Sequence, residues 1–292
     1  MDIRSLLMGL AFAFAWSSAF TSARIIVSEA PPLAALSLRF LLSGVIAVSI
    51  ALALGQTWRL TRAQWKATIV FGICQNALYL GLFFSAMTRI EASLASIIAS
   101  TMPLLVAFAS WSILGERLSR MAVVGLAVGF SGTVLIMGSR FSGGIDPIGF
   151  VYCIIGVAGL ATATLVMRNA STGGNVMMIV GLQMFVGSAV LAVVSLLIGE
   201  NLDVSPSESV MWAFAYTVIV PGVMATFIWF KLVDRIGATR AATFHFLNPF
   251  LGVAVAWFFL GETLGPLDII GVIVISVGIL TVQLARQPEF KT

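Results

Sequence analysis

RIEASLASIIASTMPLLVAFASWSILGERLSRMAVVGLAVGFSGTVLIM, residues 89–137, is written a second time as RIGATRAATFHFLNPFLGVAVAWFFLGETLGPLDIIGVIVISVGILTVQ, residues 235–283. The two stretches align without a gap at an offset of 146. Matches at Leu or Ala carry little weight in so apolar a chain. Matches at scarce residues carry much: Pro103/Pro249, Trp111/Trp257 and Glu116/Glu262, beside Arg89/Arg235, Gly115/Gly261, Gly125/Gly271 and Gly132/Gly278. In a membrane protein, a duplicated half points to a repeat-built carrier.

Composition places the chain in a bilayer. Its 292 residues are 60% hydrophobic and 10% charged, whereas soluble domains carry about 25% charged residues. So few charges cannot cover a water-facing surface. The apolar runs are continuous rather than alternating, which selects helices over a barrel. The net charge of +4 sits in short loops and sets topology; no basic stripe suggests a nucleic-acid partner. Cys74 and Cys153 lie apart inside apolar runs, so neither a metal nor another cofactor is expected. The apolar run that follows Arg4 reads as a first spanning helix rather than a cleaved leader.

A span needs about 20 apolar residues. Ten are expected, at 5–27, 33–54, 65–87, 92–114, 120–139, 147–168, 176–198, 209–232, 238–260 and 267–286. Pro31-Pro32, Gly143-Gly144, Gly173-Gly174 and Ser205-Pro206 mark turns. Twelve Lys and Arg fall on one side, three on the other, and Arg39 within span two. Both termini are therefore expected in the cytoplasm. Five spans per copy is odd, so the second copy must enter upside down. The fold class read here is an all-α membrane protein of ten helices in two inverted five-helix repeats. The repeats cover 1–143 and 144–292, intertwined in one transmembrane domain.

Polar groups deep in a bilayer are costly and mark function. Span three offers Asn76, Tyr79 and Phe83 along one face, either for substrate or for a bond between helices. Span nine offers His245 and Asn248 just before Pro249; His245, the sole histidine, is either a cavity or a packing residue, or a proton-coupling group. Trp16 lies at mid-depth in span one, unlike most membrane Trp, and suits a cavity wall. Ser100 in span four and Gln183 in span seven are further candidate contacts. Pro103 and Pro249 bend equivalent helices and are candidate gate hinges. Arg39 either meets a substrate carboxylate, pairs with Glu29 or Glu91, or snorkels outward. Gly125 and Gly129 have small-xxx-small spacing, for close packing within the chain or a dimer; the chain is otherwise read as a monomer.

The paired LGERL (114–118) and LGETL (260–264) ends, the Pro103 and Pro249 spans before them and LRFLLSG (38–44) resemble the EamA-like, ten-helix branch of the drug/metabolite transporter superfamily. The resemblance covers the whole chain and implies a central cavity between intertwined repeats. Within that branch the chain looks similar to bacterial aromatic amino acid exporters of the inner membrane. No Asp or Glu lies mid-span; the stretch equivalent to the carboxylate-bearing first helix of small multidrug antiporters reads AFAWSSAF. Amides, hydroxyls, an imidazole and aromatic rings suit an amino acid with an aromatic or apolar side chain. The expected activity is export by alternating access. The alternative is another small organic metabolite or drug-like compound, with proton coupling through His245. No nucleophile–base pair supports an enzyme.

Overall fold

The computed structural model describes residues 2–113, 115, 117–142, 144–167, 174–236, 241 and 243–285. Among them every regular element is helical. In chain order these are α1 (Ile3–Val27), α2 (Pro32–Ala53), α3 (Arg62–Ala86), α4 (Ala92–Ser112), α5 (Arg120–Ser142), α6 (Pro147–Met167) and α7 (Val176–Ile198). They are followed by α8 (Glu208–Thr217, Val218–Met224 and Ala225–Ile236 run together), α9 (Thr243–Leu247 followed by Asn248–Leu260) and α10 (Pro266–Ala285). Nine are long and apolar enough to cross a membrane, and Phe244–Leu260 is a shorter apolar helix. Residues 238–240, where span nine was expected to start, lie outside the described residues, as do Leu114, Glu116 and Gly143. Large apolar side chains such as Leu197 and Phe258 stay exposed along these helices, as they must where the surroundings are lipid.

The helices gather into two compact units, neither of which is one repeat. The first comprises Met1–Thr21, Ala92–Asp146 and Ile228–Thr292; the second comprises Ser22–Glu91 and Pro147–Phe227. Each unit thus draws helices from both copies.

In the first unit, α5 packs on its own repeat partner, α10. A Cβ on Gly125 would stand 3.0 Å from the Gly278 carbonyl, and one on Gly271 would stand 3.1 Å from the Gly132 carbonyl. These two contacts exchange under the 146-residue offset. As residue number rises in α5 it falls in α10, so equivalent helices run antiparallel and the repeats are inverted. The small-residue stripe is used up inside the chain, where missing side chains let backbones touch. In the same unit α4 and α9 also run antiparallel. The Glu262 carboxylate, just beyond α9, accepts from the amides of Ala92 (2.8 Å) and Ser93 (2.9 Å). The Glu of LGETL therefore satisfies the orphan donors at the N-terminus of α4.

In the second unit α2 and α7 form the matching antiparallel pair. Ser37 and Ser188 each donate to the other's carbonyl at 2.9 Å, while Gly44 meets Gly181. The ends are capped across the pair. Glu200 accepts from Leu33 (3.0 Å) and Ala34 (2.8 Å), and Gln56 accepts from Met178 (3.0 Å).

A third carboxylate clamp joins α1 to α8. Glu29 accepts from the Ser207 amide at 2.7 Å and from its hydroxyl at 2.8 Å, and these bonds hold its carboxyl below the usual carboxylate range. A depressed folded pKa means stabilisation that is present at neutral pH and lost as pH falls through the folded value. Glu29→Gln should lower the melting temperature at pH 7, with the gap closing in acid below the ordinary carboxylate range. A gap that persists unchanged at pH 3 would exclude this ionic clamp.

Two features were not foreseen. Both α3 and α8 contain a π-helical stretch, Gly72–Tyr79 and Val218–Met224, beginning 146 residues apart. The wider winding alters the simple i, i+3, i+7 face expected for Asn76, Tyr79 and Phe83.

Candidate functional site

In the first unit four rings converge. In α9 a 3₁₀ turn, Thr243–Leu247, gives way to α-helix at Asn248, with Pro249 in its first turn. Proline lacks the N–H that would bond the His245 carbonyl four residues back, so the helix changes winding beside the histidine. α4 breaks in the same place: Thr101 interrupts it and Pro103 opens its second half. Matched prolines therefore make matched interruptions.

The His245 ring lies 5.4 Å from Phe12 and 6.4 Å from Trp16, edge-on to both, and 5.4 Å from Trp229. Phe12 and Trp229 are 4.7 Å apart. The Asn248 side-chain nitrogen is 3.0 Å from His245 Nδ1. With the amide donating, Nδ1 accepts and the ring proton sits on Nε2. The Ser17 hydroxyl reaches the Asn248 carbonyl at 3.3 Å and its side-chain oxygen at 3.4 Å. A serine, an amide and an imidazole thus form one polar edge on an aromatic box. His245, Trp16 and Trp229 are half-buried, while Phe12 and Asn248 are buried. Trp58, Trp65, Trp111, Trp212 and Trp257 stand at or beside helix ends, as interfacial anchors do. Trp16 and Trp229 lie within their helices and both meet the sole histidine.

Ser100 is buried in this unit, and its hydroxyl donates to the Ser96 carbonyl at 2.7 Å. The sequence had singled out Trp16, His245 and Asn248. Phe12 escaped that reading because nothing separates one phenylalanine from the other 20.

The second unit holds the other candidates. The Asn76 amide donates to the Gln183 carbonyl at 2.9 Å, joining α3 to α7. Tyr79 and Phe83, 4.6 Å apart, are fully buried, with Phe83 against Gly156 of α6. All four residues are buried within their unit. Arg39, in α2, is 6% exposed. Its Nε donates to the Thr217 carbonyl at a long 3.5 Å, and its guanidinium stands 4.7 Å from the Phe40 ring centre. Pro221 lacks the N–H that the Thr217 carbonyl would take in an α-helix, and the winding that follows is π-helical. Neither Glu29 nor Glu91 pairs with Arg39 among the described residues.

The model of the EamA-like transporter family matches residues 3–138 and again 147–284, once per repeat. The chain belongs to the EamA-like transporter family. It is accordingly a multi-pass membrane transporter and not an enzyme. The inner membrane transporter YedA of Escherichia coli K12 is 27% identical over 270 residues, covering 91% of this chain and 87% of its own. The transporter YvbV of Bacillus subtilis is 25% identical, with 92% and 88% covered, and PecM of Dickeya dadantii is 24% identical, with 90% and 86% covered. A solved crystal structure with 22% identity superposes at a TM-score of 0.70 over 97% of this chain and 99% of its own, a likeness of fold. The EamA-like family assignment accounts for the repeats and the ten helices together.

Proposed function

We propose that this EamA-like protein exports aromatic or other apolar amino acids across a bacterial inner membrane by alternating access, with both termini in the cytoplasm. The observation that carries the reading is the half-buried box of Phe12, Trp16 and Trp229 around His245, edged by Asn248 and Ser17. Rings accept an apolar tail by stacking, and the amide, hydroxyl and imidazole can meet an amino-acid head group. Trp16, His245 and Asn248 are the contacts in this reading. Ser100, Asn76, Tyr79, Phe83 and Gln183 frame the helices that carry transport, and Pro103 and Pro249 are the hinges. The twelve-to-three cation bias supports the orientation, and the name of YedA supports the inner membrane.

The test is counterflow in liposomes. Vesicles loaded with unlabelled phenylalanine or tryptophan should accumulate the labelled amino acid, and Trp16→Ala should depress that exchange. If no amino acid exchanges, the reading falls. The second reading, a different organic solute with proton coupling, has the imidazole of His245 in its favour. It predicts that an imposed pH gradient drives net movement.

A further inference from the structure

We infer that Arg39 is an anion-binding residue that selects solutes bearing a carboxylate. The inference rests on the reading of this chain as a carrier of small solutes with an aromatic or apolar tail, but not on their being amino acids.

A guanidinium has five N–H donors in a planar fork and stays charged. Arg39 is 94% buried, from its 6% exposure, inside the spanning helix α2. Among the described residues its one hydrogen-bond acceptor is the Thr217 carbonyl at 3.5 Å. No described carboxylate pairs with it. Glu29 is held by Ser207, and Glu200 by Leu33, Ala34 and Ser195. A buried cation without a counter-ion is expensive, and none of the described residues supplies one. The Phe40 ring and the Thr217 carbonyl position the fork without neutralising it.

Repeat symmetry sharpens the point. The contacts Ser37–Ser188 and Gly44–Gly181 relate α2 to α7 by an offset of 144 (181 − 37 and 188 − 44). Arg39 therefore stands where α7 has Gln183 (183 − 39). In the α7 copy the position is neutral, and its carbonyl bonds Asn76. In the α2 copy the position is charged and faces Thr217, just before the π-helical stretch of α8. The backbone frame is repeated, but the charge is not. A carboxylate, which takes two parallel N–H bonds from such a fork, fits the charged position.

The experiment measures thermal stability of the purified protein with four probes: phenylalanine, phenylacetate, phenethylamine and inorganic phosphate. Phenylalanine and phenylacetate should stabilise the wild type, whereas phenethylamine and phosphate should not. Arg39→Gln should weaken the carboxylate response about 10- to 100-fold, and Arg39→Lys should restore part of it. Carboxylate responses equal in Arg39→Gln and wild type overturn the inference. So does a wild type that answers to no carboxylate, or equally to phenethylamine or phosphate; these wild-type outcomes decide even where Arg39→Gln does not fold. Response to phenylacetate but not to phenylalanine would sink the amino acid reading and leave Arg39 standing.

Discussion

Gly278→Ala should strip this protein of much of its stability, with Gly138→Ala leaving it intact. A Cβ on Gly278 would lie 2.4 Å from both the Cα and the nitrogen of Gly129, and 2.8 Å from the Gly125 carbonyl. All three are backbone atoms, so no rotamer can give way. Relief requires α5 and α10 to separate along their whole contact. Forced overpacking costs about 1–3 kcal/mol even where side chains can move, and a contact between backbones belongs at the top of that range. Gly138, on the same α5, has nothing within 4 Å of the equivalent position. Its replacement by Ala controls for the change in helix propensity, which favours Ala. Thermal unfolding followed by size-exclusion chromatography reads the difference. If Gly278→Ala melts with the wild type, the α5–α10 packing is looser than described.

Pro249→Ala should slow transport on the order of tenfold, the equivalent of about 1.4 kcal/mol in a barrier, while expression stays close to normal. Alanine restores the N–H that the His245 carbonyl lacks. The α-helix can then extend back over the 3₁₀ turn. A 3₁₀ helix advances 120° per residue and an α-helix 100°, roughly 20° of difference at each position. Over the few residues between Pro249 and His245 that swing takes the imidazole away from Trp229 and Asn248. Pro103→Ala makes the same repair in α4, where the equivalent residue is Ala99. Two variants thus separate two roles. Equal slowing by both supports matched hinges; a larger loss at Pro249 assigns the effect to the placing of His245. Rates in proteoliposomes unchanged by either substitution would remove both roles.

Much of the fold is legible in the sequence because a bilayer imposes coarse rules. Apolar runs of fixed length had to be helices, and an odd count per copy had to invert the second. The antiparallel contacts of Gly125, Gly132, Gly271 and Gly278 follow from that. Local chemistry was less legible. Pro221 and Gly222 sit in mid-span and could have signalled the irregular winding of α8, but Gly72 in α3 is one of 27 glycines and gives no such cue. Glu262 read only as the acid of a span end until its two amide partners were placed. Asn76 admitted two readings, and its bond to the Gln183 carbonyl is a contact between residues 107 positions apart.

What the sequence alone determined was periodicity, count and symmetry: ten helices, two copies, one copy inverted, and a short list of polar residues too costly to bury idly. These depend on the one-dimensional spacing of apolar, small and charged residues. What only the tertiary structure decided was partnership. It put Phe12 and Trp229 on His245, built two compact units each from both repeats, and left the Arg39 guanidinium without a carboxylate among the described residues. The reason is physical. Spacing along a helix fixes the direction of a side chain, whereas its partner depends on which distant helix the packing of backbones brings to that face.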